Sequence, residues 1–144
     1  MLKVLIAEDD LMIADAAEAA LISSGYEVCG IARTVAEAVE LGRIHKPDLA
    51  VIDMRLADGG LGNEIAAQLS SLGRLGVLYA TGNASLIALT AAHGDACLIK
   101  PYSSAALVRG LEIVSDIVAT GETSQEFPRG FQLLPLPAIE PGKA

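Results

Sequence analysis

At 144 residues and 52% hydrophobic, the chain is long enough to bury one sizeable core and too short for a second folded domain. Its formal charge of −8 is spread along the sequence with no cluster of Lys or Arg, which argues against nucleic acid or an anionic membrane as the primary partner. No apolar run is long enough to span a bilayer, and the N-terminus lacks the basic and apolar regions of a signal peptide. Cys29 and Cys97 stand apart in apolar segments, as small hydrophobes of a reducing compartment do, so the expected location is the cytoplasm.

In chain order, residues 4–7 form a short apolar run suited to a buried strand, and the next segment, 11–23, has a helical pattern that stops at Gly25. A second run at 26–32 leads into a helix whose start is marked by Thr34 and Glu37. Their spacing is that of a capping box, in which the threonine oxygen and the glutamate carboxylate each satisfy an orphaned backbone donor. Runs at 49–52, 77–80 and 96–99 precede helical patterns over 61–71, 84–92 and 104–119. Five strands alternating with five helices predict an α/β fold with a doubly wound five-stranded parallel sheet, flavodoxin-like, in the order 2-1-3-4-5. Residues 1–120 make this domain and residues 121–144 a C-terminal tail or arm. In such sheets the ligand site lies beyond the carboxyl ends of the strands.

That rule collects Glu8, Asp9 and Asp10 after the first strand, Asp53 at the end of the third, Thr81 after the fourth and Lys100 after the fifth. Carboxylates crowded on one edge repel one another unless something cationic sits among them. Mg²⁺ suits the task, since it takes oxygen ligands and commonly combines one or two carboxylates with waters and phosphate oxygens. In this reading Asp9 and Asp53 are direct ligands, Glu8 acts largely through water, and the Arg55 backbone carbonyl completes the protein's share. Asp53 is then a nucleophile able to form an acyl phosphate, Lys100 the second cation on the phosphoryl oxygens, and Thr81 a hydroxyl donor to them. Each residue alone has a plainer reading: Asp10 or Asp53 as a helix cap, Thr81 as a turn hydroxyl, Lys100 as a solvated charge. The conjunction at successive strand ends is what carries the signal.

With these residues in view, the sequence resembles the response-regulator receiver family. VLIAEDD supplies the acidic pair, VIDMRL the acceptor aspartate, YATGN the switch threonine and LIKPY the lysine with its proline, and the match covers residues 1 to about 120. The resemblance implies phosphotransfer from a sensor histidine kinase or phosphotransfer protein to Asp53, Mg²⁺ dependence, slow self-catalysed hydrolysis and a cis bond between Lys100 and Pro101. It implies a signalling protein rather than an enzyme. Three departures stand out. Receivers usually carry an aromatic residue three before the lysine, where this chain has Cys97. The loop MRLADGGLGN lacks the proline common after the acceptor, so its backbone is expected to be free. Tyr79, Ala80, Thr81 and Gly82 look like the Phe-Ala-Thr-Gly signature of an alphaproteobacterial branch that also lacks the switch aromatic. Arg55 and Asn83, two residues beyond the acceptor and the threonine, are expected to tune hydrolysis.

The segment SLIALTAA within 84–92 is nearly uncharged, and the last helix carries two apolar stripes, Leu107, Leu111, Val114 and Val118 on one and Ile113 with Ile117 on the other. The expectation is a homodimer through the last two helices and the tail, with Phe127 and Phe131 docking an extended arm on a partner subunit. Deleting residues 122–144 is expected to weaken that dimer. Two rivals remain. A haloacid-dehalogenase-type phosphatase also uses an aspartate, Mg²⁺, a threonine and a lysine, but wants an acid where this chain has Arg55. A phosphorylation-independent docking module would keep the pocket without the chemistry.

Overall fold

The apolar runs form a sheet buried on both faces, in a computed structural model that describes residues 1–82 and 94–134. The strands are β1 (Lys3–Ala7), β2 (Glu27–Ala32), β3 (Leu49–Asp53), β4 (Gly76–Thr81), β5 (Ala96–Ile99) and β6 (Phe131–Leu133). The helices are α1 (Leu11–Ser23), α2 (Val35–His45), α3 (Gly62–Leu69) and α4 (Ser104–Thr120). The helix expected over 84–92 lies outside the described residues. Sheet order is β2-β1-β3-β4-β5-β6, with every pair from β2 to β5 parallel. This is the doubly wound flavodoxin-like order predicted from the sequence. Every residue of β3 and β4 is buried, as strands covered on both faces require.

Strand alternation sorts the core into two layers. Leu5, Ala50, Ile52, Val77 and Tyr79 face α2 and α3, while Val4, Ile6, Val51, Leu78 and Leu98 face α1 and α4. The helix starts follow local rules. Asp10 caps α1, accepting from the amides of Met12 at 3.0 Å and Ile13 at 3.3 Å, which is the plainer of its two readings. Thr34 Oγ1 accepts from the Glu37 amide at 3.1 Å, but Glu37 Oε1 accepts from the threonine hydroxyl at 3.2 Å instead of a backbone donor, so only half of the expected capping box forms. Ser103 caps α4.

β6 was not foreseen. It pairs antiparallel with β5, matching Leu98 with Phe131 and Ala96 with Leu133. Phe131 is buried in the same layer as Ile113 and Leu111. The described part of the arm therefore closes the chain's own sheet, where the sequence had suggested docking on a partner subunit. Part of the apolar excess on the last helix that suggested a homodimer is taken up within the chain, where Leu107, Leu111, Ile113 and Val114 are buried, while Ile117 and Val118 stay half-buried. The turn back is held by Asp116, whose Oδ2 accepts from Thr123 Oγ1 at 2.7 Å and from Gln125 Nε2 at 3.0 Å.

Candidate functional site

Register brings the candidate residues together. Ala7 lies level with Ile52, Asp53 with Ala80, and Thr81 with Ile99, so Glu8, Asp53, Thr81 and Lys100 all emerge on one edge of the sheet. Glu8, Asp53 and Thr81 are the buried polar and charged side chains among the described residues, at 4%, 8% and 2% exposure. Apart from the Tyr79 hydroxyl, the fully buried side chains elsewhere among the described residues are apolar, and the polar exceptions mark this edge.

Lys100 Nζ donates to Glu8 Oε1 at 2.7 Å and to Asp53 Oδ2 at 3.1 Å, joining the ends of β1, β3 and β5 in one charged network. Its amide donates to the Thr81 carbonyl at 2.8 Å, which fixes the lysine against β4. The Lys100–Pro101 peptide is cis, as the resemblance implied. Asp9 is half-buried beside this network. One carboxylate oxygen each from Glu8, Asp9 and Asp53 lies within 4.8 Å of the others. Three such hard oxygen donors against a single lysine leave the pocket net negative, which fits a divalent cation of the Mg²⁺ type.

Burial pushes the Glu8 carboxyl up to about 7, and the neighbouring Asp53 adds to the rise, against the pull of Lys100 and the Asp10 amide. For Lys100 burial alone would lower the ammonium, but Glu8 and Asp53 outweigh it and hold it above its ordinary value. The pair thus has one firm cation and one acid that titrates near neutrality.

Arg55 places its amide on Asp53 Oδ1 at 3.3 Å while its side chain is exposed. Asn83 lies outside the described residues. The loop after Asp53 is more tied than the missing proline suggested. The Gly62 amide donates to the Met54 carbonyl at 2.9 Å, the Leu56 amide to the Gly60 carbonyl at 3.0 Å, and the Ala57 amide to the Arg33 carbonyl at 3.0 Å. Met54 and Leu56 are buried. At Gly62 a Cβ would collide with the Asp53 carbonyl oxygen, so this close approach is open only to glycine and holds the α3 start against β3.

With this geometry in place, a family model described as the response regulator receiver domain matches residues 4–112. The chain belongs to that family. As a receiver it is a signalling domain of the two-component type, and receiver domains typically bind Mg²⁺ in an acidic pocket, which here is the cluster of Glu8, Asp9 and Asp53. It is similar to the transcriptional regulatory protein PdtaR of Mycobacterium tuberculosis, 34% identical over 114 residues that cover 77% of this chain and 55% of that protein. It is also similar to the phyllosphere-induced regulator PhyR of Methylorubrum extorquens, 36% identical over 80 residues that cover 55% of this chain and 30% of that protein. The receiver thus spans about half the length of PdtaR and less than a third of PhyR. Among solved structures, the signal receiver domain of a modulated diguanylate cyclase from Desulfovibrio desulfuricans G20 matches with a TM-score of 0.73 at 28% identity, covering 85% of this chain and 99% of that one.

Two features escaped the sequence reading. An apolar groove of about 480 Å³ adjoins the pocket, lined by Met12, Ile13, Ala16, Pro101, Tyr102 and Leu107. Met12 is 84% exposed and Leu11 53%. Two bare apolar residues at the first turn of a helix, next to the acidic cluster, were the available signal. The second is Tyr79, a core aromatic whose hydroxyl is buried along with its ring.

Proposed function

We propose that this receiver is a phosphoacceptor switch in which Asp53 takes a phosphoryl group from a sensor histidine kinase or phosphotransfer protein and signals by protein contacts. The observation that carries this reading is Lys100 Nζ spanning Glu8 and Asp53, with Asp9 beside them. A structural ion pair needs one acid, and the surplus of carboxylates suits a bound cation and a transferred anion. Residues 1–120 form the receiver and 121–144 the arm, and a cytoplasmic location fits a partner of this kind. No helix among the described residues is long and apolar enough to cross a membrane.

In the transfer step an Asp53 carboxylate oxygen bonds to phosphorus as the phosphorus–nitrogen bond of the donor phosphohistidine breaks, and the imidazole leaves with the electron pair. Lys100 pairs with the phosphoryl oxygens and Thr81 donates its hydroxyl to them. Asp9, Asp53 and the Arg55 carbonyl would hold Mg²⁺, with Glu8 acting through water; the ion supplies charge neutralisation of the transferring group. The donor protein docks on the groove at Met12, Ile13 and Tyr102, which lies next to the acceptor.

The test is the intact mass after incubation with acetyl phosphate, with and without Mg²⁺, on wild type and Asp53→Asn. A Mg²⁺-dependent gain of one phosphoryl group that the variant loses is expected. No gain from acetyl phosphate or from a phosphorylated histidine donor would transfer the assignment to a phosphorylation-independent docking module.

A further inference from the structure

Tyr79 and Thr81 lie two residues apart on β4, so strand alternation directs both side chains toward the layer of α2 and α3. Tyr79 is fully buried there, level with Ile52 on one neighbouring strand and with Cys97 on the other. Two features separate it from an ordinary core aromatic.

The first is its hydroxyl, which is buried without a hydrogen-bond partner among the described residues. Buried hydroxyls normally find a partner, because leaving water without compensation is unfavourable. A phenylalanine would fill the same space without that penalty. Burial, and after it the carboxylate of Asp95, raises the phenol far above its ordinary value, so it stays protonated and keeps its donor.

The second is that the ring forms the inner wall of the arm's seat. A Cβ built on Gly94 would collide with the edge of the Tyr79 ring and would lie 3.1 Å from Leu134 Cδ1, so ring and leucine meet over the same glycine. Leu134 is fastened there by its amide, which donates to the Asp95 carbonyl at 2.9 Å, and it packs on the cluster that holds Tyr79 and Cys97. At the other end of the β5–β6 pairing the Ile99 amide donates to the Gly130 carbonyl at 3.0 Å, one residue before the lysine that reaches Asp53. The strand that carries the site's threonine therefore also carries the ring on which the arm rests.

We infer that Tyr79 relays the state of the phosphoacceptor edge to the C-terminal arm. When Thr81 is drawn toward a phosphoryl group on Asp53, the ring leaves its seat and gives its hydroxyl a partner, Leu134 loses its support, and β6 separates from β5. The orphaned hydroxyl narrows the gap between docked and released states, as a switch requires. Tyr79 is a positioning residue, acting through packing and touching no reacting atom. The inference rests on the reading of Asp53 as acceptor.

The test is hydrogen–deuterium exchange by mass spectrometry on the full chain, before and after treatment with acetyl phosphate and Mg²⁺, with intact mass recorded on the same samples. Phosphorylated wild type is expected to exchange the Ile99 and Leu134 amides about tenfold faster than the unmodified protein, as a segment opened locally does. Tyr79→Phe keeps the ring and loses the hydroxyl, so it is expected to gain the same mass while its arm stays protected in both states. Leu134→Ala is expected to expose the arm in both states without altering the mass gain. Mass gain in wild type with unchanged exchange, wild-type release in Tyr79→Phe, or an arm still protected in Leu134→Ala overturns the relay and leaves the acceptor reading standing. Absence of mass gain from acetyl phosphate and from a phosphohistidine donor overturns both.

Discussion

At the carboxyl edge of the sheet, Lys100, Glu8 and Asp53 meet at 2.7 and 3.1 Å with little access to water. Along the arm the polar contacts are the backbone pairing of β6 with β5, turn hydrogen bonds that include those of Asp116, and a 3.4 Å contact from Arg109 Nη1 to the Glu126 carbonyl, and the burial is supplied by Phe131, edge-on to Phe127 at 5.0 Å. One region is held by charge in a low dielectric, the other by neutral backbone pairing and an aromatic ring laid on a helix. The first should respond to protons and cations, and the second to neither. The same sheet thus joins an edge built from charged groups to an arm built from uncharged contacts.

That contrast can be broken by experiment. The largest effect is expected from Phe131→Ala, a loss of about 3 kcal/mol in urea unfolding, at the low end for aromatic truncations because the arm can peel away rather than enclose a void. The loss should be equal at pH 5 and pH 8; a pH-dependent loss would show that the arm shares the electrostatics of the edge. Lys100→Ala comes next, at about 2 kcal/mol at pH 8, because it strands two acids that are mostly buried while the lysine itself keeps some water. Here the loss should shrink at pH 5, where Glu8 is neutral.

A third test is the pH profile of the wild type without metal. Glu8 is pushed up to about 7 in the folded chain, from an ordinary 4.5. Its proton is held more tightly folded than unfolded, so the stability it contributes is complete below about 4.5 and is lost as pH rises through about 7. Urea midpoints between pH 5 and pH 8 should fall in wild type and flatten in Glu8→Gln. Mg²⁺ competes for the ionised form, so calorimetric titration should find tighter binding across the same interval. A flat wild-type profile would mean that Lys100 compensates Glu8 in full.

The edge was legible in the sequence for a physical reason. In a parallel sheet each strand delivers its last residue to the same side, so Glu8, Asp53, Thr81 and Lys100 could be collected from the carboxyl ends of the apolar runs. The register that sets Asp53 level with Ala80 and Thr81 level with Ile99 then does the assembly. The arm was not legible in the same way. β6 is three residues long, sits in a proline-rich segment, and is strand-like only because β5 offers an open edge more than thirty positions earlier. Its apolar residues were read correctly as needing a surface, but no local pattern says that the surface is the chain's own. The Tyr79 hydroxyl is hidden for a related reason, since a tyrosine in an apolar strand looks like any core aromatic until its surroundings are known.

Closing β5 with β6 also bears on solubility. A bare strand of Ala96, Cys97, Leu98 and Ile99 would offer unpaired amides and carbonyls to any other chain, the arrangement from which edge-to-edge aggregates grow. Removing residues 122–144 is therefore expected to make the protein stickier, with light scattering reporting a larger mass, where the sequence had suggested weaker association. The arm works as a stopper on the sheet, and a switch that lifts it would briefly uncover a template for self-association.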